Sequence, residues 1–284
     1  MKERWQKPIT TRRYLHPPRS ERLHTLWLEG KLVFGEVFAP DGLEDYTSYI
    51  SSGIWFVADT PDGQLDFHSS VNRIRGDGIP VHALSIDKEG MNISIEAFSS
   101  FDRVPTCYVR LRLYNPTDKP IKRRIGFVLR TAKEPVLVKN GPDIYHSYSP
   151  EISAWLGADA TWTKCNGGYR DGEKYVTVNS SLSFDFDEAS GVAMAEVELL
   201  PKEEIISFLS YGEGEAKDFI YSEKKNETVE NWRRELSRTH LPDFIHKDAE
   251  SVTMCYHLIS TILQNFNCVK GGDILLARQG GLSR

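Results

Sequence analysis

The chain has 284 residues, 40% of them hydrophobic and 26% charged, with a formal net charge of −5. That composition supports a substantial core and speaks against a disordered chain. The acidic balance speaks against a nucleic-acid footprint, which needs clustered Lys and Arg.

The opening MKERWQKPITTRRYLHPP has no apolar leader core. No stretch approaches the ~18–20 apolar residues of a membrane span, so the expectation is a cytoplasmic chain with no membrane partner. The richest basic run, Arg12, Arg13 and Arg19, is broken by Pro17 and Pro18 and reads as a solvated arm. Cys107, Cys165, Cys255 and Cys268 lie far apart, without CxxC or Cys/His ligand spacing. They read as buried or semi-buried free thiols, not as disulfides or a metal site.

From about residue 20 to 210 the hydrophobic period is two. Leu23–Leu28 and Lys31–Phe38 flank Glu29-Gly30 as a hairpin. Gly53–Ala58 is a short apolar run closed by the turn Thr60-Pro-Asp-Gly63. Met91–Phe98 sets Met91, Ile93, Ile95 and Ala97 on one face, with Asn92, Ser94, Glu96 and Phe98 on the other. Next, Val109, Leu111 and Leu113 point inward, and Arg110, Arg112 and Tyr114 point outward. Asn115–Pro120 makes a turn, and Ile125–Leu129 returns antiparallel. Tyr175–Val178, Leu182–Phe186, Val192–Leu199 and Ile205–Tyr211 continue the series, the last two joined by a turn at Leu200–Glu204. Short strands with one polar face predict an antiparallel β-sandwich of two large sheets.

After Gly214 the alternation stops. Asn226–Leu236 carries helix formers and Glu230/Arg234 at i,i+4, with Asn226 or Thr228 as a cap. A second helix is predicted over Asp248–Asn267, with Val252, Cys255, Tyr256, Ile259, Leu263 and Phe266 on a broad apolar face, ending at Gly271-Gly272. The sandwich can cover one side of such a helix, and the rest of the stripe calls for further partners.

Three phrases carry a resemblance. AFSSFDRVPTCYVRLRLYNPTDKPIKRRIGFVLRT, VAMAEVELLPKEEIISFLSYGEGE (with Lys202 where glycine is usual) and NWRRELSRTHLPD followed by a helix and GGDILLARQGG resemble the six-hairpin, (α/α)6-barrel carbohydrate enzymes. These include glucoamylase-like and debranching-like glycosidases and the disaccharide phosphorylases. The resemblance covers most of the chain as architecture. It implies a mainly β fold: a large antiparallel super-sandwich over residues 1–215, a helical linker over 216–247, and the start of an (α/α)6 catalytic domain over 248–284. It further implies an oligosaccharide substrate and a downstream catalytic domain of the same chain as partner. Its catalytic carboxylates would lie later in the barrel, so no catalytic residue is assigned here. The leading expectation is therefore the amino-terminal, non-catalytic portion of a glycoside hydrolase, inactive by itself. A disaccharide phosphorylase fragment and a stand-alone carbohydrate-binding or assembly module are the alternatives.

The residues themselves offer little chemistry. Pairs such as Asp185/Asp187 and Glu196/Glu198 read as solvent positions on strands. Ser85/Lys88 and Ser222/Lys225 lack the companion motifs of acyl enzymes. No Walker loop, Gly-x-Ser-x-Gly or dinucleotide fingerprint occurs, so no cofactor is expected. His257 reads as a helix-surface or linker contact. Trp27 and Trp55 fall in strands and read as core. Trp155 and Trp162 sit in an irregular stretch and are candidates for a sugar or interdomain contact. By the resemblance, Arg278 and Gln279 follow the first barrel helix in a loop that reaches a sugar subsite, where a guanidinium and an amide suit hydroxyl recognition.

Overall fold

The computed structural model describes residues 5–6, 12–38, 47–67, 71–75, 77–139, 160–241, 245, 248–264, 266–268 and 275–277. The first strands are β1 (Trp5–Gln6), β2 (Arg12–Tyr14), β3 (Arg22–Trp27), β4 (Lys31–Phe38), β5 (Thr47–Ala58) and β6 (Val71–Arg75). They are followed by β7 (His82–Lys88), β8 (Met91–Ser99), β9 (Cys107–Tyr114), β10 (Ile121–Lys139) and β11 (Thr163–Cys165). Then come β12 (Gly168–Asp171), β13 (Lys174–Asn179), β14 (Asp185–Asp187), β15 (Val192–Leu199) and β16 (Glu204–Glu213). Helices α1 (Tyr221–Leu236) and α2 (Ala249–Gln264) follow, with the short pair β17 (Phe266–Cys268) and β18 (Leu275–Ala277).

Among the described residues, nine strands form one antiparallel sheet in the order β1-β6-β7-β8-β9-β16-β13-β12-β11. Seven form the other, β14-β15-β10-β5-β4-β3-β2. The inward rows of both sheets make one core. Ile93, Ile95, Val109, Leu111 and Leu113 face Leu32, Ile54, Phe56, Ile125 and Phe127 in it. At its centre Phe34 stacks on Tyr211, ring centroids 3.6 Å apart. The Tyr211 hydroxyl, buried and so in need of a partner, shares a 2.6 Å hydrogen bond with Ser52 Oγ. The mainly β sandwich read from the period of two is thus the observed fold, and the β3–β4 hairpin turns at Gly30 with φ +70°.

Two predicted hairpins are not hairpins. β9 pairs with β8 and β16 in the larger sheet, whereas β10 pairs with β5 and β15 in the smaller. The turn at Asn115–Pro120 therefore carries the chain from one sheet to the other. The turn at Leu200–Glu203 does the same between β15 and β16. Period-two alternation reports which face of a strand is buried, and an inward face looks alike in either sheet.

The helices also differ from expectation at their ends. α1 starts at Tyr221 with Ile220 as an N-cap that makes no side-chain bond, so Asn226 and Thr228 lie inside the helix. Glu230 pairs with Arg233 at i,i+3. α2 stops at Gln264, short of the predicted Asn267, and Phe266–Cys268 already pairs as a strand. Gly271 and Gly272 lie outside the described residues. The basic arm is in part an edge strand, since β2 pairs with β3. Cys107 is a buried free thiol and Cys255 a half-buried one, but Cys165 is exposed on an edge strand. The Cys268 side chain lies outside the described residues. Trp27 and Trp55 are half-buried and not wholly in the core.

Candidate functional site

The polar chemistry of the described residues gathers where the two helices meet the sandwich. The first cluster lies on the outer face of the larger sheet. Glu96 on β8 stands directly opposite Arg110 on β9. Its side chain is 3% exposed, because α1 lies across it. Three donors converge on this carboxylate: Arg110 Nη2 at 3.3 Å, Lys225 Nζ at 3.1 Å and the Tyr221 hydroxyl at 2.9 Å. A buried carboxylate is tolerable only with such compensation. Burial, and then the neighbouring Glu96 charge, push the Tyr221 phenol well above its ordinary range. Around the cluster, Trp232 is fully buried with Phe101 edge-on at 5.3 Å, and Phe98 and Phe208 hold the Tyr221 ring. Glu96 looks solvent-facing in the strand alternation. The signal for its burial is the pair Tyr221/Lys225, four apart on one face of α1. With three donors on one buried carboxylate, the cluster fastens α1 to the sheet.

The second cluster seats α2. Thr253, His257, Ser260 and Gln264 recur at four, three and four residue steps and so share one helix face. All four are buried. Gln264 Nε2 donates to the carbonyls of Tyr14 at 3.0 Å and His16 at 2.8 Å. His16 Nε2 lies 3.1 Å from the Gln264 carbonyl and donates to it. Ser260 Oγ donates to the Gly78 carbonyl at 2.8 Å. Gly78 has φ +73°, and a Cβ there would fall 2.5 Å from the His257 backbone nitrogen, so the helix backbone rests against the glycine. The rings of His82 and His257 meet edge to face at 6.2 Å, and His82 Nε2 donates to the Tyr14 carbonyl at 3.1 Å. His257 is thus a buried seat residue and not a helix-surface contact.

The apolar stripe of α2 is shared out differently. Tyr256, Ile259 and Leu263 pack on the cluster of Ile79, Val81 and Trp232. Leu258 and Ile262, four apart, stand 45% and 56% exposed, with Cys255 half-buried beside them. The helix therefore buries a polar row and an adjacent apolar one, and keeps Leu258 and Ile262 outward.

Of the four residues expected to touch sugar, only Trp162 is described, and it is 1% exposed in the sandwich core. Its indole Nε1–H donates to Thr131 Oγ1 at 3.0 Å, and its ring lies 6.4 Å from that of Tyr211. A ring closed to solvent offers no face for stacking. The irregular sequence around it hid a core position. Trp155, Arg278 and Gln279 lie outside the described residues. Among the described residues no group of three or more His, Cys, Asp or Glu could hold a metal. No described helix is long and apolar enough to cross a membrane.

No family model matches the chain, and no curated protein matches it. Among solved structures, one match is a protein described as a kojibiose phosphorylase from the human microbiome, 10% identical with a TM-score of 0.35. The match covers 86% of this chain and 35% of that one, so the chain spans about a third of that protein's length. A likeness of that size fixes neither a family nor an activity for this chain.

Proposed function

We propose that these residues are the amino-terminal, non-catalytic portion of a cytoplasmic carbohydrate-active enzyme, a glycoside hydrolase acting on an oligosaccharide. The observation that carries the reading is the orientation of α2. A helix that buries Thr253, His257, Ser260 and Gln264 and presents Leu258 and Ile262 outward is built to lie between two bodies. The sandwich is one of them. A helical domain, of which residues 248–284 form the beginning, is the other. The phrases Ala97–Thr131, Val192–Glu215, Asn231–Asp243 and Gly271–Gly281, which resemble the six-hairpin carbohydrate enzymes, support its class.

In this reading the sandwich positions the helical domain and walls one side of its cleft. Cleavage is then the work of two carboxylates in that domain, one giving a proton to the leaving oxygen and one activating water. Arg278 and Gln279 are proposed as sugar contacts on the strength of the resemblance, and Trp155 for its place in an irregular stretch of sequence. The experiment is an assay of the protein encoded by the whole reading frame on a panel of disaccharides and oligosaccharides, with and without inorganic phosphate. Free sugar released without phosphate is the expected result. Sugar 1-phosphate formed only with phosphate would replace hydrolysis by phosphorolysis. No turnover in either condition, together with oligosaccharide binding by the 284-residue chain alone, would overturn the reading in favour of a binding module.

A further inference from the structure

The hairpin at the outer edge of the larger sheet turns on two residues, Asn166 and Gly167. Cys165 on β11 stands opposite Gly168 on β12, so nothing else lies in the loop. Both loop residues are exposed. Gly167 has φ +78°, and a Cβ there would meet no atom within 4 Å. Its carbonyl accepts from the Val178 N–H at 3.0 Å, but its own N–H gives no backbone hydrogen bond among the described residues. The Asn166 side chain makes no hydrogen bond to a described residue. An untethered side-chain amide therefore stands beside an unengaged backbone nitrogen, and the glycine has no side chain to obstruct their approach.

No other asparagine with a described side chain combines these features. Asn115 is buried, commits its amide to three carbonyls and precedes Pro116, which has no N–H to offer. Asn92 donates to Ser85 Oγ and Asp87 and precedes the buried, β-branched Ile93. Asn226 and Asn231 lie inside α1, where the helix directs the following N–H to a carbonyl one turn back. Asn179 is exposed but precedes Ser180, whose Cβ crowds the approach. The second Asn-Gly pair of the sequence, Asn140-Gly141, lies outside the described residues.

We propose that Asn166 is a self-modification site, where the Gly167 nitrogen converts the asparagine to a mixture of aspartyl and isoaspartyl residues. The Gly167 N–H first loses its proton to hydroxide. The nitrogen then attacks Cγ, the side-chain carbonyl carbon of Asn166. A bond forms between the Gly167 nitrogen and Cγ, the Cγ–Nδ2 bond breaks, and Nδ2 takes a proton from water and leaves as ammonia. The product is a cyclic imide. Water opens it at either carbonyl. Opening at Cγ restores the main chain and leaves an aspartyl side chain. Opening at the main-chain carbonyl reroutes the chain through Cβ and Cγ and lengthens the loop by one atom. Water enters, ammonia leaves, and nothing is oxidised or reduced. Either product carries a carboxylate in place of the amide, so the net charge becomes one unit more negative than −5. The site stands apart from the carbohydrate reading and does not depend on it.

The test is incubation of the folded 284-residue chain at about pH 6.0 and about pH 8.5, for a time long enough to convert the urea-unfolded chain, followed by peptide mapping. Trypsin cuts after Lys164 and Arg170, so Asn166 reports in the peptide Cys165–Arg170. That peptide should give two new products, separable by chromatography and each heavier than the parent by the exchange of NH2 for OH. They should form at least about tenfold faster at the higher pH, because the ionised fraction of a backbone amide rises about tenfold with each pH unit. In the Asn166→Gln variant, whose longer side chain would have to close a larger ring, the same peptide should stay unchanged. An unmodified Cys165–Arg170 peptide from the folded chain would overturn the proposal, since the hairpin would then shield the pair. Conversion at Asn179 as fast as at Asn166 would overturn it too, because the glycine would then confer nothing. So would equal rates at the two pH values, which would exclude attack by the ionised nitrogen.

Discussion

Asn115 is fully buried and employs every polar atom it has. Its Nδ2 donates to the carbonyls of Lys119, Leu199 and Leu200 at 2.8, 3.1 and 3.1 Å. Its Oδ1 accepts from the backbone N–H and hydroxyl of Thr117, and its main chain bonds Glu203 and Lys202. One side chain thus laces together the two crossings between the sheets. That an Asn-Pro-Thr run makes a turn was legible in the residues, because asparagine caps turns with its own side chain. That two such turns meet was not, since nothing local links residue 115 to residue 200. Lys202 sits in the second turn with φ +64°, a region that suits glycine. Asn115→Ala should cost ~3 kcal/mol or more in urea denaturation, through several buried groups left unpaired. Lys202→Gly should change stability by less than ~1 kcal/mol, because relief of the backbone offsets the added freedom of the unfolded chain. A mild Asn115→Ala variant would show that the crossings stand without it.

Each helix combines a legible pattern with an illegible orientation. The apolar stripe of α2 was plain in its three and four residue steps, and Tyr256, Ile259 and Leu263 of it do pack inward, yet the helix also buries the polar row Thr253, His257, Ser260 and Gln264 beside them. Amphipathic periodicity tells which residues share a face and not which face meets which neighbour. The same limit hid Glu96, which looks solvent-facing on its strand until α1 brings Tyr221 and Lys225 over it. Trp162 was misplaced for a related reason, since an irregular loop can still drop a large ring into the core. Gly78 is where the seat of α2 can be probed as an element. A methyl group there would come within 2.6 Å of the backbone and Cβ of Tyr256 and the nitrogen of His257. Gly78→Ala should therefore push α2 off the sandwich, costing ~2–3 kcal/mol and raising the rate at which Cys255 reacts with a thiol reagent. Unchanged Cys255 labelling would mean that the helix is held by its apolar packing on Trp232 and not by the glycine contact.

At the scale of the whole molecule, the exposed pair Leu258 and Ile262 separates a finished chain from one built to receive a partner. Two apolar side chains in water are ordinary taken singly. Here they sit one turn apart on a helix whose opposite face is polar and buried, and that inversion is costly unless something covers them. The substitutions Leu258→Glu and Ile262→Lys, made together, test this. Both positions already face solvent, so the isolated chain should keep its stability within ~0.5 kcal/mol. The parent chain should self-associate in sedimentation experiments as its concentration rises, and the double variant should stay monomeric, because the new pair at i,i+4 is charged. In the protein encoded by the whole reading frame the same pair should cost ~2–5 kcal/mol, the range for burying charged groups in an apolar interface without their proper partners. If the protein encoded by the whole reading frame tolerated both charges as easily as these 284 residues do, the outward face of α2 would be a solvated surface. The sandwich and its two helices would then form a unit whose partner binds elsewhere.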